Sequence, residues 1–315
     1  MSSKKPAITL MCMIGLLVFN GRVHAEQQKE LINQPTQSML WKVTGNGLEK
    51  PSYVFGSWHF LCRNEIVFKN KVKVAIKETE QLMFQNFVTY LGSDDYYENR
   101  KETERIDSGE PIYKIDDRKV RKRLLKLIKE HMDLKIDLAK RVMPIVKRMT
   151  PMEVFFSSMH SFIKDCSGLG SFDNLLYQHY QKINAPIGSF NERKTFLERL
   201  MASGFLQAES LMTYLEEIES KRAMVRAMKA HYYLDEDVDG LKKLYRIFLN
   251  NDLVDEKSIN KYVFNIDTQP WVDMMASWIA IKPTFISVNA NYLFNDGLGV
   301  IELLKQKGYE VEPVH

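Results

Sequence analysis

Strand–helix–strand patterns occur at both ends of this chain, and helical patterns fill most of the residues between them. At the C-terminal end, an apolar strand over 284–288 precedes a helix over 298–307 and a last strand over 310–314. The N-terminal strands, the next helix and the strand after it are predicted over residues 39–43, 53–55, 70–80 and 81–87. This order predicts an α/β (α+β-like) fold, in which both ends build one mixed central sheet around a large helical insertion.

The first 25 residues have the three parts of a secretory signal peptide. Lys4 and Lys5 form a basic start, residues 7–19 are mainly apolar, and Val23-His24-Ala25 is a suitable cleavage site. We therefore expect cleavage after Ala25 and a periplasmic or secreted protein, with an uncleaved membrane anchor as the alternative. The predicted organisation is a signal peptide (1–25), a disordered polar leader (26–37) and a single domain (38–315).

Signal-peptide cleavage also changes the charge of the protein. Removal of Lys4, Lys5 and Arg22 lowers the formal net charge from +4 to +1. A nearly neutral chain gives no general electrostatic reason to bind nucleic acid, so we expect no nucleic-acid partner. No transmembrane segment is expected after cleavage, and the sequence leaves the oligomeric state open. Cys62 and Cys166 remain, either as a disulfide or as two buried thiols.

A basic segment over residues 118–129 carries an apolar stripe at helical spacing. The stripe consists of Val120, Leu124, Leu127 and Ile128. One interpretation is contact with an anionic surface through Lys122, Arg123 and Lys126. The other is an ordinary solvated helix whose stripe packs against the protein.

Two turns that follow predicted strands identify a family. The first is Gly56-Ser57-Trp58-His59, and the second is Asn289-Ala290-Asn291-Tyr292. Together with the closing segment FISVNANYLFNDGLGVIELLKQKGYEVEPV, they resemble the TraB/GumN family, which includes the Tiki-type metal-dependent proteases. In that family a G-x-x-H motif is expected at both turns. The resemblance therefore implies a hydrolase fold in which this chain keeps one motif histidine, His59.

Other positions that carry family site residues are substituted as well. By the resemblance, Gln85 stands where the family has a glutamate, and Asn191 takes the place of the acid in a Leu-Glu-Thr signature. Lys257 is the best match to a family arginine, and Tyr292 replaces the second histidine. Amides, an amine and a phenol thus stand where acids, an arginine and a histidine are expected.

These substitutions weaken a hydrolytic metal site. Such a site needs about three side-chain ligands and an open position for water. Amide oxygens bind transition metals weakly, and a tyrosine binds only as a phenolate, whose unperturbed pKa is about 10. We therefore expect a catalytically degenerate protein that binds a peptide or a polysaccharide in the remaining cleft. His59 is the single metal-ligand candidate, or else a residue that only hydrogen-bonds to Tyr292 or Gln85.

An active enzyme is the alternative. Acids lie close in sequence to the substituted positions, namely Glu192 and Asp296, and Asp173 is a further candidate. With His59 they would form a rearranged site for Mn²⁺, Co²⁺ or Zn²⁺ and make the protein a metal-dependent peptidase or hydrolase.

Overall fold

The computed structural model describes most of the chain after residue 37. The described residues are 38–58, 61–85, 110–131, 136–159, 169–190, 198–199, 201–203, 207–249, 256–259, 261–262, 266–294 and 299–315. The predicted signal peptide and leader lie outside the described residues.

A mixed sheet of six strands forms the centre of the fold, beside a small sheet of two strands. The strands are β1 (Leu40–Gly45), β2 (Ser52–Ser57), β3 (Leu61–Cys62), β4 (Gln81–Phe84), β5 (Leu169–Gly170), β6 (Ile187–Ser189), β7 (Thr284–Asn289) and β8 (Tyr309–Pro313). The large sheet has the order β6-β4-β7-β2-β1-β8. Strands β6, β4, β7 and β2 run parallel, whereas β1 is antiparallel to both β2 and β8. Strands from the two ends of the chain therefore interleave in one sheet.

Most of the described helices lie between β4 and β7 in the chain. The described helices are α1 (Asn70–Glu78), α2 (Arg118–His131), α3 (Ile136–Val146), α4 (Pro151–Met159), α5 (Phe172–Lys182), α6 (Ala208–Glu216), α7 (Ile218–Ala230), α8 (Val238–Leu249), α9 (Glu256–Ile259), α10 (Gln269–Ile279) and α11 (Val300–Gln306). The predicted α/β class, with a mixed central sheet and a helical insertion, is confirmed.

The hairpin between β1 and β2 sets the register of the N-terminal edge. Gly45, Asn46 and Gly47 all have positive φ angles, of 76°, 48° and 81°. Glycine and asparagine adopt this left-handed region most readily, so the chain reverses here without steric strain. The reversal pairs Trp41 with Val54 and buries both side chains in the core.

The basic segment over residues 118–129 forms helix α2, and α3 follows it in the chain. Leu124, Leu127 and Ile128 are buried on the side of α2 that packs against α6. Their i, i+3, i+4 spacing places them on one face of the helix, as the sequence pattern predicts. The apolar stripe thus belongs to the core, and the basic residues lie on the other face.

Cys62 is disulfide-bonded at the end of β3. Strand β3 pairs with β5, and this pairing places Cys62 opposite Leu169. Cys166, the predicted partner, lies outside the described residues. Along the described part of the chain, no helix combines the length and the apolar character needed to cross a membrane.

Candidate functional site

The carboxyl ends of the four parallel strands meet at one edge of the sheet. Strand β2 leads into Trp58, β4 into Gln85, β6 into Phe190, and β7 into a 3-10 turn, Ala290–Tyr292. The chain passes from β2 to β4 and then from β4 to β6, towards one edge of the sheet. From β7 it passes to β8, at the opposite edge. The direction of the connections therefore reverses between β4 and β7. In open α/β sheets, ligands bind in the crevice at such a switch point.

Four residues predicted for the site or for its alternative cannot be placed. His59, Asn191, Glu192 and Asp296 lie outside the described residues. The chain positions immediately before His59 and Asn191, Trp58 and Phe190, are described and lie at the strand ends. The following geometry is that of Gln85, Asp173, Lys257, Tyr292 and their neighbours.

Gln85 bridges the switch point. The Gln85 Oε1 accepts a hydrogen bond of 2.8 Å from the backbone N–H of Asn289. The backbone N–H of Gln85 donates to the carbonyl of Ser287 at 2.9 Å. The side chain is buried. A neutral amide therefore holds the ends of β4 and β7 together.

Asp173 supplies a buried carboxylate beneath the same edge. It lies in the first turn of α5, where negative charge is favoured by the helix dipole. Its oxygens accept hydrogen bonds from Ser287 Oγ at 2.5 Å and from Ser57 Oγ at 3.5 Å. Because Ser57 ends β2 and Ser287 lies in β7, the carboxylate connects the helix to both central strands.

We expect Asp173→Asn to lower the free energy of unfolding by about 1–2 kcal/mol, since charge-assisted hydrogen bonds to two buried hydroxyls are replaced by neutral ones. Urea denaturation measures the change. Glu209→Gln is the matched control, because Glu209 is an exposed acid in the first turn of α6 and shares only the interaction with the helix dipole. Equal effects of the two substitutions would contradict a role for the hydroxyl contacts.

Tyr292 is part of an aromatic group and lies almost entirely inside the protein. Its side chain is 5% exposed and meets the Trp271 ring edge-on, with ring centroids 5.2 Å apart. Trp271 in turn stacks on Phe190, with the two rings nearly parallel. The phenol of Tyr292, predicted to stand at a site position, is therefore packed against α10 as a core residue.

A second aromatic group surrounds Trp58, the residue that follows β2. Trp58 is 1% exposed and packs against Tyr232 and Tyr245, with centroid separations of 5.9 and 6.3 Å. Burial, together with the nearby Tyr292, raises the pKa of Tyr245 far above its usual value. The Tyr232 hydroxyl donates to the carbonyl of Gly56 at 2.7 Å. Tyrosines of the helical insertion thus hold Gly56 and Trp58 of the first motif in place.

Gly56 allows β2 to approach the turn that follows β7. A Cβ atom at this position would lie 2.6 Å from Leu293 Cδ1 and 3.2 Å from both Cα and Cβ of Ala290. Contacts this short require the neighbouring atoms to move. The glycine of the first G-x-x-H motif therefore has a packing role that is separate from any chemistry.

Sequence reasoning missed Glu236, a buried carboxylate that joins distant parts of the chain. It accepts hydrogen bonds from Lys69 Nζ at 2.6 Å, Lys71 Nζ at 2.7 Å, the Met39 N–H at 2.9 Å and Ser38 Oγ at 3.0 Å. Burial by itself would raise the pKa of Glu236, but the hydrogen bonds from the two lysines and from Met39 outweigh it and lower the pKa to about 2. The only sequence signal was its position in an acidic turn beside Asp235 and Asp237.

The described residues offer little for a metal ion. No three His, Cys, Asp or Glu side chains of this part of the chain are close enough together to hold one. Lys257 is exposed on the short helix α9. The Asn291 side chain is 2% exposed, and neither its Nδ2 nor its Oδ1 has a hydrogen-bond partner among the described residues. Amide, hydroxyl and aromatic groups therefore dominate the described edge, and Asp173 is the acid there.

The family comparison agrees with this architecture. The family model described as the TraB/PrgY/gumN family matches residues 39–313, which span the whole sheet from β1 to β8. No curated protein and no solved structure gives a significant match to the chain.

Proposed function

Because the chain belongs to the TraB/PrgY/gumN family, we propose that it is a catalytically degenerate member, secreted or periplasmic, whose single domain (38–315) binds a peptide or polysaccharide at the carboxyl edge of the sheet. The remnant cleft lies at the switch point between β4 and β7. In this proposal, the protein recognises its ligand without cleaving it.

The contacts that the Gln85 and Tyr292 side chains make are the main support for the proposal. Gln85 Oε1 is occupied by the Asn289 N–H, and Tyr292 is packed edge-on against Trp271. Neither arrangement leaves a charged or imidazole ligand for a cation that must activate water. The substitutions at these two positions strengthen the scaffold of the edge instead of preserving an ion site.

The chemistry of the edge supports a polar, uncharged ligand. Asn291 has both an amide donor and an amide acceptor without partners among the described residues. Amide groups such as that of Asn291 are among the polar groups that recognise peptide bonds and sugar hydroxyls. A peptide or a carbohydrate therefore fits the described residues better than a small anion does.

The test is metal affinity, measured together with hydrolysis. We expect the purified protein to bind less than one equivalent of Mn²⁺, Co²⁺ or Zn²⁺ in titration calorimetry and to cleave no member of a peptide and oligosaccharide panel. His59→Ala is expected to behave like wild type in both measurements, as is the control His179→Ala, which removes an exposed histidine on α5. Tight stoichiometric metal binding that His59→Ala alone abolishes would overturn the degenerate assignment.

One observation favours the alternative, a metal-dependent peptidase or hydrolase rearranged around His59. Asp173 places a buried carboxylate between the ends of β2 and β7, next to the strand that leads to His59. If the protein is such a hydrolase, Asp173→Asn and His59→Ala should each lose both metal affinity and peptidase activity. Loss of stability in Asp173→Asn with no metal effect in either variant supports the degenerate assignment.

A further inference from the structure

A second surface, remote in sequence from the sheet edge, combines exposed apolar side chains with exposed lysine and arginine side chains. It is formed where residues 112–114 lie beside the turn that follows α3. The Ile112 and Tyr113 N–H groups donate to the carbonyls of Met149 and Lys147, each at 2.9 Å. Arg121 of α2 donates from Nη1 to the Ile115 carbonyl at 2.5 Å. These bonds hold the start of α2 and the end of α3 together as one ordered surface.

Two large apolar side chains project from this region. Tyr113 is 51% exposed, and Ile145, two residues before Lys147, is 63% exposed. Single exposed apolar residues are common, but these two flank the same hydrogen-bonded junction. Each would lose its contact with water if an apolar phase covered the junction.

Cations surround the two apolar residues. Lys114, Arg118, Lys147 and Arg148 are exposed, and none of them has an ion-pair partner among the described residues. Lys122, one helical turn after Arg118, extends the same face. The exposed acids Glu110, Asp116 and Asp117 also lie in this segment, and the Asp117 carboxylate accepts hydrogen bonds from the N–H groups of Lys119 and Val120.

The ion pairs on α2 show which cations remain available. Arg123 pairs with Glu216 of α6, and Lys126 lies 3.7 Å from Glu130. Of the three residues that the sequence suggests for anionic contact, Lys122 is the one without an ion-pair partner among the described residues. The available charge is therefore concentrated at the N-terminal end of α2, beside Tyr113, and is joined by cations from the end of α3.

We propose that this surface, formed by Tyr113, Lys114, Arg118, Ile145, Lys147 and Arg148, docks on an anionic lipid bilayer. Basic residues near such a surface each contribute about 1 kcal/mol of attraction, and tyrosine and aliphatic side chains partition into the headgroup region. Charge complementarity and two insertable side chains favour a bilayer over a soluble polyanion, which would engage the cations alone. The inference is independent of the ligand at the sheet edge.

Vesicle co-sedimentation tests this surface. The wild-type protein is expected to bind phosphatidylcholine vesicles that contain phosphatidylglycerol, to bind pure phosphatidylcholine vesicles weakly, and to dissociate at high salt. The charge-reversal variant Lys114→Glu/Lys147→Glu/Arg148→Glu is expected to lose about 100-fold in affinity, as three cationic contacts are removed. Tyr113→Ser/Ile145→Ser is expected to lose about tenfold.

Ile281→Ser/Lys282→Glu is the matched control, because Ile281 is 74% exposed beside a lysine at another part of the surface. This variant is expected to bind as wild type does. Three results would overturn the proposal: equal binding to neutral and anionic vesicles, unchanged binding by the charge-reversal variant, or full binding by Tyr113→Ser/Ile145→Ser. The last result would show that the cations bind anionic vesicles without help from the two apolar side chains. A dimer in sedimentation that Tyr113→Ser/Ile145→Ser dissociates would assign the surface to a second copy of the chain and would also reject bilayer docking.

Discussion

Replacement of Glu236 by glutamine is expected to lower the free energy of unfolding by about 3 kcal/mol at neutral pH. The carboxylate lies among hydrogen-bond donors from the start of β1 and the start of α1, and its side chain is 11% exposed. A fall in the pKa of Glu236 from its ordinary value of 4.5 to about 2 corresponds to that free energy. Glutamine keeps the size of the side chain but leaves Lys71, which is 14% exposed, without its counter-charge.

The same residue predicts how stability depends on pH. Because the folded-state pKa of Glu236 is below the unfolded-state value, its contribution is complete above about pH 5 and is lost as the pH falls towards 2. Wild type should therefore lose more stability than Glu236→Gln between these two pH values. The two proteins should become similar in stability at the acidic end of the window.

Chemical denaturation at a series of pH values measures both effects. Glu80→Gln is the control, since it removes an ion pair with Lys50 in which both side chains are exposed. Exposed ion pairs contribute little to the free energy of unfolding, so the stability of this variant should match that of wild type at every pH. Parallel pH profiles for wild type and Glu236→Gln would contradict the assigned role of the carboxylate.

Replacement of Gly56 by valine is expected to destabilise the protein by about 3 kcal/mol, and replacement by alanine by somewhat less. Any Cβ atom would come within 2.6 Å of Leu293 Cδ1 and within 3.2 Å of the Ala290 backbone, so the buried Leu293 side chain must move and the contact with Ala290 favours separation of β2 from the turn after β7. The separation would also weaken the bond from the Tyr232 hydroxyl to the Gly56 carbonyl. Thermal and urea denaturation measure the loss.

A double-mutant cycle with Leu293→Ala isolates the clash. Leu293 is fully buried, so its truncation alone should cost about 2–4 kcal/mol. It also removes the atom nearest to the new Cβ, and Gly56→Ala should therefore cost less in the Leu293→Ala background than in wild type. Purely additive effects would show that the contact with Leu293 does not explain the need for glycine.

Local patterns were sufficient for the fold class and for the order of its elements. Apolar runs predicted the strand ending near Val288, the helix closed by Gly308 and the last strand, because each signal lies within a few neighbouring residues. The motifs around Gly56 and Tyr292 identified the family for the same reason. The apolar stripe of α2 was also predictable, since its residues repeat at the helical period.

Only the tertiary structure decided which of these residues meet. Gln85 contacts Asn289 across 204 positions of sequence, and Glu236 reaches Met39 across 197. Pairs this far apart leave no periodic signal in the chain, because their proximity follows from strand order and from helix packing. The sequence by itself thus determined the fold class and the family. Packing between distant segments determined that Gln85 bridges two strands, that Tyr292 is a core residue and that a buried carboxylate joins the first strand to the helices.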